Sequence, residues 1–100
     1  MTPIKNNQVI VVMYRYNPQL GSYCTLSLAN VVRVNKKTFV VNNGFYDRKF
    51  DFFGCEVSAK DAIYGRAFYR AYTIERAKEL FDGEKFDGYR ISGNNVLTTL

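Results

Sequence analysis

The stretch VVRVNKKTFVVN, residues Val31 to Asn42, decides the predicted fold. Two runs of β-branched and aromatic residues flank Lys36 and Lys37, which is typical of a β-hairpin with the dibasic pair near its turn. Asn42-Asn43-Gly44 follows, and it predicts a second tight turn because Asn and Gly tolerate positive φ angles. The chain is therefore expected to reverse twice in succession, as short antiparallel strands do.

Two further strands are predicted before this hairpin. Val9 to Tyr16 (VIVVMYRY) is a β-branched and aromatic run, and its uninterrupted apolar start indicates a strand that is buried on both faces. Tyr23 to Leu28 (YCTLSL) alternates bulky and small polar residues and predicts a second strand. Ala29 and Asn30 then predict a bulge or a turn before the hairpin begins.

Two segments after the hairpin are also interpreted as strands. Phe45 to Phe53 (FYDRKFDFF) predicts a strand that reverses near Gly54. Ala62 to Tyr72 fits two structures, because its residues alternate from Arg66 onward as in a strand, while its alanines and its spacing also suit a helix. The aromatic content of this segment favours the strand.

One helix is predicted over residues 73–82. Thr73 can cap its first turn, where the negative charge of Glu75 is also favourable. Ile74, Ala77 and Phe81 share one apolar face at helical spacing. The tail over 84–100 is rich in Gly and Asn, and it predicts a loosely held last strand or a frayed end.

These elements predict a mainly β fold of the α+β class. The expected architecture is a small, strongly curved antiparallel sheet, or an SH3-like barrel, with one helix near the C-terminal end. One hundred residues is the size of one domain, and no low-complexity linker divides the chain, so we expect a single domain over residues 1–100. Apolar residues make up 47% of the chain, which excludes a disordered protein.

The composition argues against catalysis. The absence of histidine excludes His-based acid/base chemistry, His-containing triads and His metal sites. Cys24 and Cys55 are far apart in the sequence and form no CxxC pair, so we expect no structural zinc site and no cofactor. The two could form one disulfide, but both stand beside apolar or aromatic residues, which favours two buried free thiols in a reducing cytosol. Asp47 and Asp51 would lie about 13 Å apart on one strand face, which is too far for a shared metal ion. We therefore predict that the protein is not an enzyme.

The charge is distributed unevenly along the chain. The formal net charge is +5, and all nine acidic residues lie at or after Asp47, whereas the first 46 residues carry five basic ones. The resulting field favours a polyanion or an acidic protein surface as partner. The start MTPIKNNQ has no hydrophobic signal region and no apolar run has the length of a membrane span, so we expect a cytoplasmic protein without a membrane partner.

Basic and aromatic residues that alternate in these strands are the candidate binding residues. Cations can follow the phosphates of a nucleic acid while aromatic rings stack on its bases. The cations of this set are Arg15, Arg33, Lys36, Lys37, Arg48 and Lys49, and its stacking candidates are Tyr14, Tyr16 and Tyr46. The alternative is a solvated basic face whose tyrosines flank the core.

Val31 to Val57 resembles a pattern found in small bacteriophage-encoded SH3-like β-barrel proteins. In that pattern a strand ending in a basic residue leads through a Lys/Thr hairpin to an aliphatic strand, a Gly turn, a basic-aromatic strand and a closing Gly-x-Glu-Val. The matching residues are Arg33, Lys36, Lys37, Thr38, Gly44, Arg48, Lys49, Phe50, Gly54, Glu56 and Val57. The resemblance implies a phage-like source and a non-catalytic accessory role.

Two functions are consistent with these features. The favoured one is a binding module that engages nucleic acid, or a nucleoprotein complex, through the basic-aromatic surface. The other is a phage-encoded inhibitor that binds an acidic surface of a host or defence protein, with Tyr and Arg side chains as interface anchors. A homodimer could use the same surface.

Overall fold

The computed structural model describes residues 1–19, 21–57 and 67–100. These ranges contain seven strands, one α-helix and one 3-10 helix. The strands are β1 (Gln8–Asn17), β2 (Gly21–Val34), β3 (Thr38–Asn42), β4 (Asp47–Asp51), β5 (Ala67–Tyr72), β6 (Lys85–Phe86) and β7 (Tyr89–Ile91). The α-helix α1 spans Ile74–Leu80, and the 3-10 helix spans Val96–Thr99.

The strand β2 organises the sheet. Five strands form an antiparallel path in the order β4-β3-β2-β1-β5, and β2 pairs with the whole length of β1 along one edge. Its other edge pairs with β3 from Asn30 onward. Near its start, at Tyr23 and Cys24, β2 pairs in parallel with β7, which in turn pairs with β6. The two ends of β2 therefore support different neighbours.

The end strands of this path, β4 and β5, are joined through the turn at Gly54, which follows β4. The N–H of Ala71 donates to the carbonyl oxygen of Gly54 at 2.9 Å, and Cys55 forms a β-bridge with Arg70. Gly54 has a φ of +86° and lies against the backbone carbonyl of Ala71, so a Cβ at this position would collide with that oxygen. The sheet is thus curled into a half-barrel that is tied together at this turn.

The inner core fills the concave side of the half-barrel. It is built from strand residues alone, and its members are Val9, Val11, Ala29, Val31, Phe39, Val41, Phe50 and Ala71. The rings of Phe39 and Phe50 are fully buried and lie 5.9 Å apart. Bulky side chains from cross-strand pairs therefore stabilise the curl without help from α1.

The outer core covers the opposite face of β1 and β2. Its buried members are Ile10, Val12, Tyr14, Cys24, Leu26, Ala77, Phe81 and Leu97. The helix begins where predicted, because the Oγ1 of Thr73 accepts a hydrogen bond from the N–H of Arg76 at 3.1 Å. Ala77 and Phe81 then place its apolar face on the sheet, and Leu97 of the 3-10 helix packs beside them.

The predicted fold class is confirmed: the chain forms a mainly β, strongly curved antiparallel sheet with one α-helix in the described residues. The strand Val9 to Tyr16 is buried on both faces at its start, as expected. The part of Ala62 to Tyr72 that is described, Ala67–Tyr72, is strand β5, and residues 62–66 lie outside the described ranges.

Two local predictions were wrong. Ala29 and Asn30 form neither a bulge nor a turn, since they continue β2 and pair in register with β1, and the sheet's irregularity falls between Val31 and Arg33. The tail over 84–100 is neither a last strand over its apolar run nor a frayed end. It forms β6, β7 and the 3-10 helix because Leu97 and neighbouring apolar side chains are buried on the outer face.

Candidate nucleic-acid interface

Four residues of four adjacent strands form one row across the sheet. Arg15 of β1 lies opposite Tyr23 of β2, Tyr23 lies beside Arg90 of β7, and Arg90 lies opposite Lys85 of β6. We call these four residues the cationic row. Cross-strand partners share a face, and neighbouring strands lie about 4.8 Å apart, so the row spans about 14 Å.

The cationic row is available to a ligand. Arg15, Arg90 and Lys85 are exposed, and Tyr23 is half-buried between two of them. Two ion pairs occur among the described residues, Arg48–Glu56 and Arg76–Glu79, and neither involves the row. The row therefore presents three positive charges without a bound carboxylate in the part of the chain that is described.

A cleft lies at the β1 end of the cationic row. It has a volume of about 390 Å³, and besides Arg15 and Tyr23 it is lined by Tyr16, Asn17, Pro18 and Gln19. The ring of Tyr16 is 59% exposed, so it is free to contact a bound molecule. Two rings and one guanidinium group thus border the same concave surface.

The hairpin places a second group of cations at the opposite end of β2. Arg33 pairs with Val40, and Val40 pairs with Lys49, so both cations share the outer face of the sheet. Lys36 and Lys37 are exposed at the tip, in the turn between β2 and β3. We call Arg33, Lys36, Lys37 and Lys49 the hairpin surface.

The carboxylates nearest to the hairpin surface are already engaged in local structure. Asp47 accepts a hydrogen bond from the side-chain amide of Asn42 at 2.8 Å. Asp51 accepts from the backbone N–H groups of Phe53 and Cys55 at 2.9 and 3.0 Å. Asp47 and Asp51 lie two residues before and after Lys49, on the same face of β4. The positive charges that carboxylates compensate least are therefore those of Arg33 and of the two lysines at the hairpin tip.

Arg48 was predicted to contact a partner, but the structure gives it an internal role. Its guanidinium group lies 2.8 Å from the carboxylate of Glu56 and 3.4 Å from the ring centroid of Tyr69. The side chains of this ion pair are only 20% and 16% exposed. A guanidinium group held by a carboxylate and an aromatic face is not free to bind phosphate.

Tyr14 was predicted to stack on a ligand, but it is 3% exposed and belongs to the outer core. Its hydroxyl group hydrogen-bonds that of Tyr72 at 2.7 Å, and its ring stacks on Phe68 at 4.8 Å. Burial, reinforced by the bond to Tyr72, raises the pKa of the Tyr14 phenol far above its ordinary value. Tyr14 is therefore a neutral core residue.

Tyr46 is exposed, but it lies in the turn between β3 and β4, at the end of β3 that is remote from the hairpin tip. The side-chain oxygen of Asn43 accepts from the N–H groups of Phe45 and Tyr46 at 3.0 and 3.1 Å, and Asn42 caps Gly44 in the same way. This turn holds Phe45 and Tyr46 outward, with 86% and 65% of their surfaces exposed.

The predicted binding residues therefore do not form one surface. Arg15 and Tyr16 lie at one end of β2, the hairpin surface lies at the other, and Tyr46 lies apart from both. Tyr23, Arg90 and Lys85 were missed as site residues. The alternation of apolar and charged residues in Tyr89-Arg90-Ile91 could have placed Arg90 on the polar face of a strand, but only the parallel pairing of β7 with β2 brings it beside Tyr23.

The two cysteines are free thiols, as predicted. Cys24 is buried in the outer core, and burial raises its pKa, whereas Cys55 is exposed, contrary to the expectation that both are buried. The described ranges contain no group of three or more Cys, Asp or Glu side chains that could hold a metal ion. None of the helices in those ranges combines the length and the apolar character that a membrane crossing requires.

Comparison with protein-family models, with curated proteins and with solved structures finds no significant match to this chain. The resemblance of Val31 to Val57 to phage SH3-like proteins stays a prediction.

Proposed function

We propose that this protein is a non-catalytic binding module that engages single-stranded nucleic acid, alone or within a nucleoprotein complex, through the cationic row. The observation that carries the proposal is the alignment of Arg15, Tyr23, Arg90 and Lys85 on four adjacent strands. Cations at this spacing can meet successive phosphates while the Tyr23 ring takes a base, which is the chemistry of single-strand binding by small β folds.

The expected binding mode tolerates many sequences. Three phosphate contacts predict that the logarithm of the binding constant falls with the logarithm of salt concentration at a slope of about −2. Stacking on Tyr23 adds about 1–3 kcal/mol for each base that it contacts, and every base has a ring face. Tyr16, in the adjoining cleft, offers a second exposed ring.

The test is fluorescence anisotropy of a labelled oligothymidylate at low and at physiological salt. Lys85→Glu with Arg90→Glu should weaken binding strongly and make the salt response shallower. Arg76→Glu with Lys78→Glu changes the net charge equally on exposed positions of α1, and the lost Arg76–Glu79 ion pair is highly exposed, so this control should bind nearly as wild type. Equal losses in both variants would contradict the proposal.

Stacking is tested separately from charge by Tyr23→Leu. This change keeps an apolar side chain in a half-buried position and removes the aromatic ring. Affinity should fall by about 5-fold to 150-fold while the salt slope stays the same, because no phosphate contact is lost. An unchanged affinity would remove Tyr23 from the interface.

Inhibition of another protein is the second candidate function, and the turn that holds Phe45 and Tyr46 outward favours it. Rigid, exposed aromatic side chains are typical anchors of protein interfaces. If oligonucleotides do not bind even at low salt, this candidate becomes the better one. Phe45→Ser with Tyr46→Ser should then abolish binding to a partner that wild type captures, with only a shallow salt dependence.

A further inference from the structure

We propose that the protein holds two nucleic-acid segments at once, one on the cationic row and one on the hairpin surface, and so bridges them. This inference rests on the proposed function of the cationic row. It adds the hairpin surface as a second binding site for a separate nucleic-acid segment.

The two surfaces lie far apart along β2. Tyr23 and Arg33 lie ten residues apart on the same strand, β2. At about 3.3 Å per residue the strand separates them by at most about 33 Å. The molecule measures 40 × 33 × 23 Å along its principal axes, so this upper limit is comparable with its dimensions, and the two surfaces are separated along the length of β2.

The two surfaces also lie on opposite faces of the sheet. Arg15 and Tyr23 lie on the face of the sheet that carries Val11 and Ala29 of the inner core, because residues two apart in a strand share a face. The irregularity between Val31 and Arg33 shifts the register, and Arg33 then pairs with Val40 on the outer face. A single straight strand of nucleic acid cannot lie along both faces.

The surface between the cationic row and the hairpin surface carries a net negative charge. The segment from Ile74 to Asp87, which contains α1 and packs on the outer face of β1 and β2, carries five acidic and three basic residues, a net charge of −2. This net negative charge disfavours a polyanion that follows the outer face from the hairpin surface towards β7. Two separate segments are therefore favoured over one that wraps around the protein.

The experiment is native mass spectrometry of the whole protein with hexathymidylate. Six nucleotides in a stacked strand span about 20 Å, which is shorter than the length of about 33 Å that ten residues of an extended strand cover. Wild type should show one protein with two oligonucleotides. Lys36→Glu with Lys37→Glu should lose the second oligonucleotide and keep the first, and so should Lys85→Glu with Arg90→Glu. The α1 control, Arg76→Glu with Lys78→Glu, should keep both.

The outcomes separate this inference from the function on which it rests. A wild-type complex that never exceeds one oligonucleotide, and that disappears in the Lys85→Glu and Arg90→Glu variant, overturns bridging and leaves single-strand binding in place. Retention of two oligonucleotides in the hairpin variant also overturns bridging. No binding to wild type overturns both proposals. Circular dichroism of each variant checks that it is folded.

Discussion

The inner core and the outer core lie on opposite faces of β1 and β2, but they are assembled from different parts of the chain. The inner core uses strand residues only and contains no hydroxyl group among its buried members. The outer core depends on α1 and on the 3-10 helix, and it contains a buried tyrosine and a buried thiol. The inner face of the sheet is thus covered by other strands, whereas the outer face is covered by α1 and the 3-10 helix, which pack back onto the sheet.

The two cores are coupled by β1 and β2, because both strands contribute buried residues to each of them. Val9 and Val11 point into the inner core, and Ile10 and Val12 point into the outer core. Ala29 and Cys24 of β2 likewise belong to the inner and the outer core, so a change that loosens either face is transmitted through the backbones of both strands. Mutation and labelling of each core can test how far the coupling between the inner core and the outer core extends.

The largest effect is expected from removing one fully buried ring from each core. Phe39→Ala in the inner core and Phe81→Ala in the outer core should each lower the free energy of unfolding by about 3–5 kcal/mol. Urea denaturation followed by circular dichroism should give one transition for both variants, because β1 joins the cores. Two separated transitions in Phe81→Ala would show that the outer layer unfolds independently.

The next effect concerns the tie that closes the half-barrel around the inner core. Gly54→Ala places a Cβ against the carbonyl oxygen of Ala71 at a positive φ angle, and it should cost about 2–3 kcal/mol. Gly88→Ala is the matched control, since Gly88 has a φ of +82° but open space around it. Thermal unfolding should show a clearly smaller loss of stability for Gly88→Ala. Equal losses of stability in the two variants would mean that the close contact of Gly54 with Ala71 does not stabilise the half-barrel.

A smaller, pH-dependent effect distinguishes the polar interior of the outer core. The pKa of the Tyr14 phenol is raised above its ordinary value of 10.0, so the unfolded chain loses this proton first as the pH rises. The stabilisation is complete below pH 10 and declines above it by about 1.4 kcal/mol per pH unit. The free energy of unfolding of Tyr14→Phe should be about 1 kcal/mol lower than that of wild type at neutral pH, and it should decline less steeply as the pH rises above 10. Urea denaturation from pH 8 to 11 measures both free energies of unfolding. Equally steep declines in wild type and in Tyr14→Phe would contradict this prediction.

The smallest perturbation is chemical labelling of the two thiols. Cys55 is exposed near the closing turn, whereas Cys24 is buried in the outer core with a raised pKa. A thiol reagent at pH 8 should therefore modify one cysteine rapidly and the other only in denaturant. Cys55→Ser should abolish the rapid phase. Rapid modification of Cys24 in that variant would mean that the outer core opens readily.

The elements that could be predicted from the sequence are those set by neighbours along the chain. The hairpin with Lys36 and Lys37 at its tip follows from two β-branched runs, and the start of α1 follows from the Thr73 cap. Burial of β1 on both faces follows from its continuous apolar start, because such a run leaves no polar face for water.

The site could not be assembled from the sequence, because its members meet through long-range pairing. Nothing local indicates that β7 adds in parallel to Tyr23, or that Arg48 finds Glu56 and Tyr69. Tyr14 and Tyr16 have the same residue type and share a face, yet one is covered by Phe68 and Tyr89 and the other is exposed. Only the tertiary packing distinguishes them.

The irregularity between Val31 and Arg33 has an evolutionary consequence. It involves one extra residue, Val32, after which Arg33 pairs on the outer face while Val34 pairs with Phe39. Deleting Val32 would restore strict alternation, but Arg33 would still pair with Val40 and Val34 with Phe39, so the following side chains would keep their faces. A lineage of such proteins can therefore gain or lose this position by a single codon while the basic side chain of Arg33 stays on the outer face.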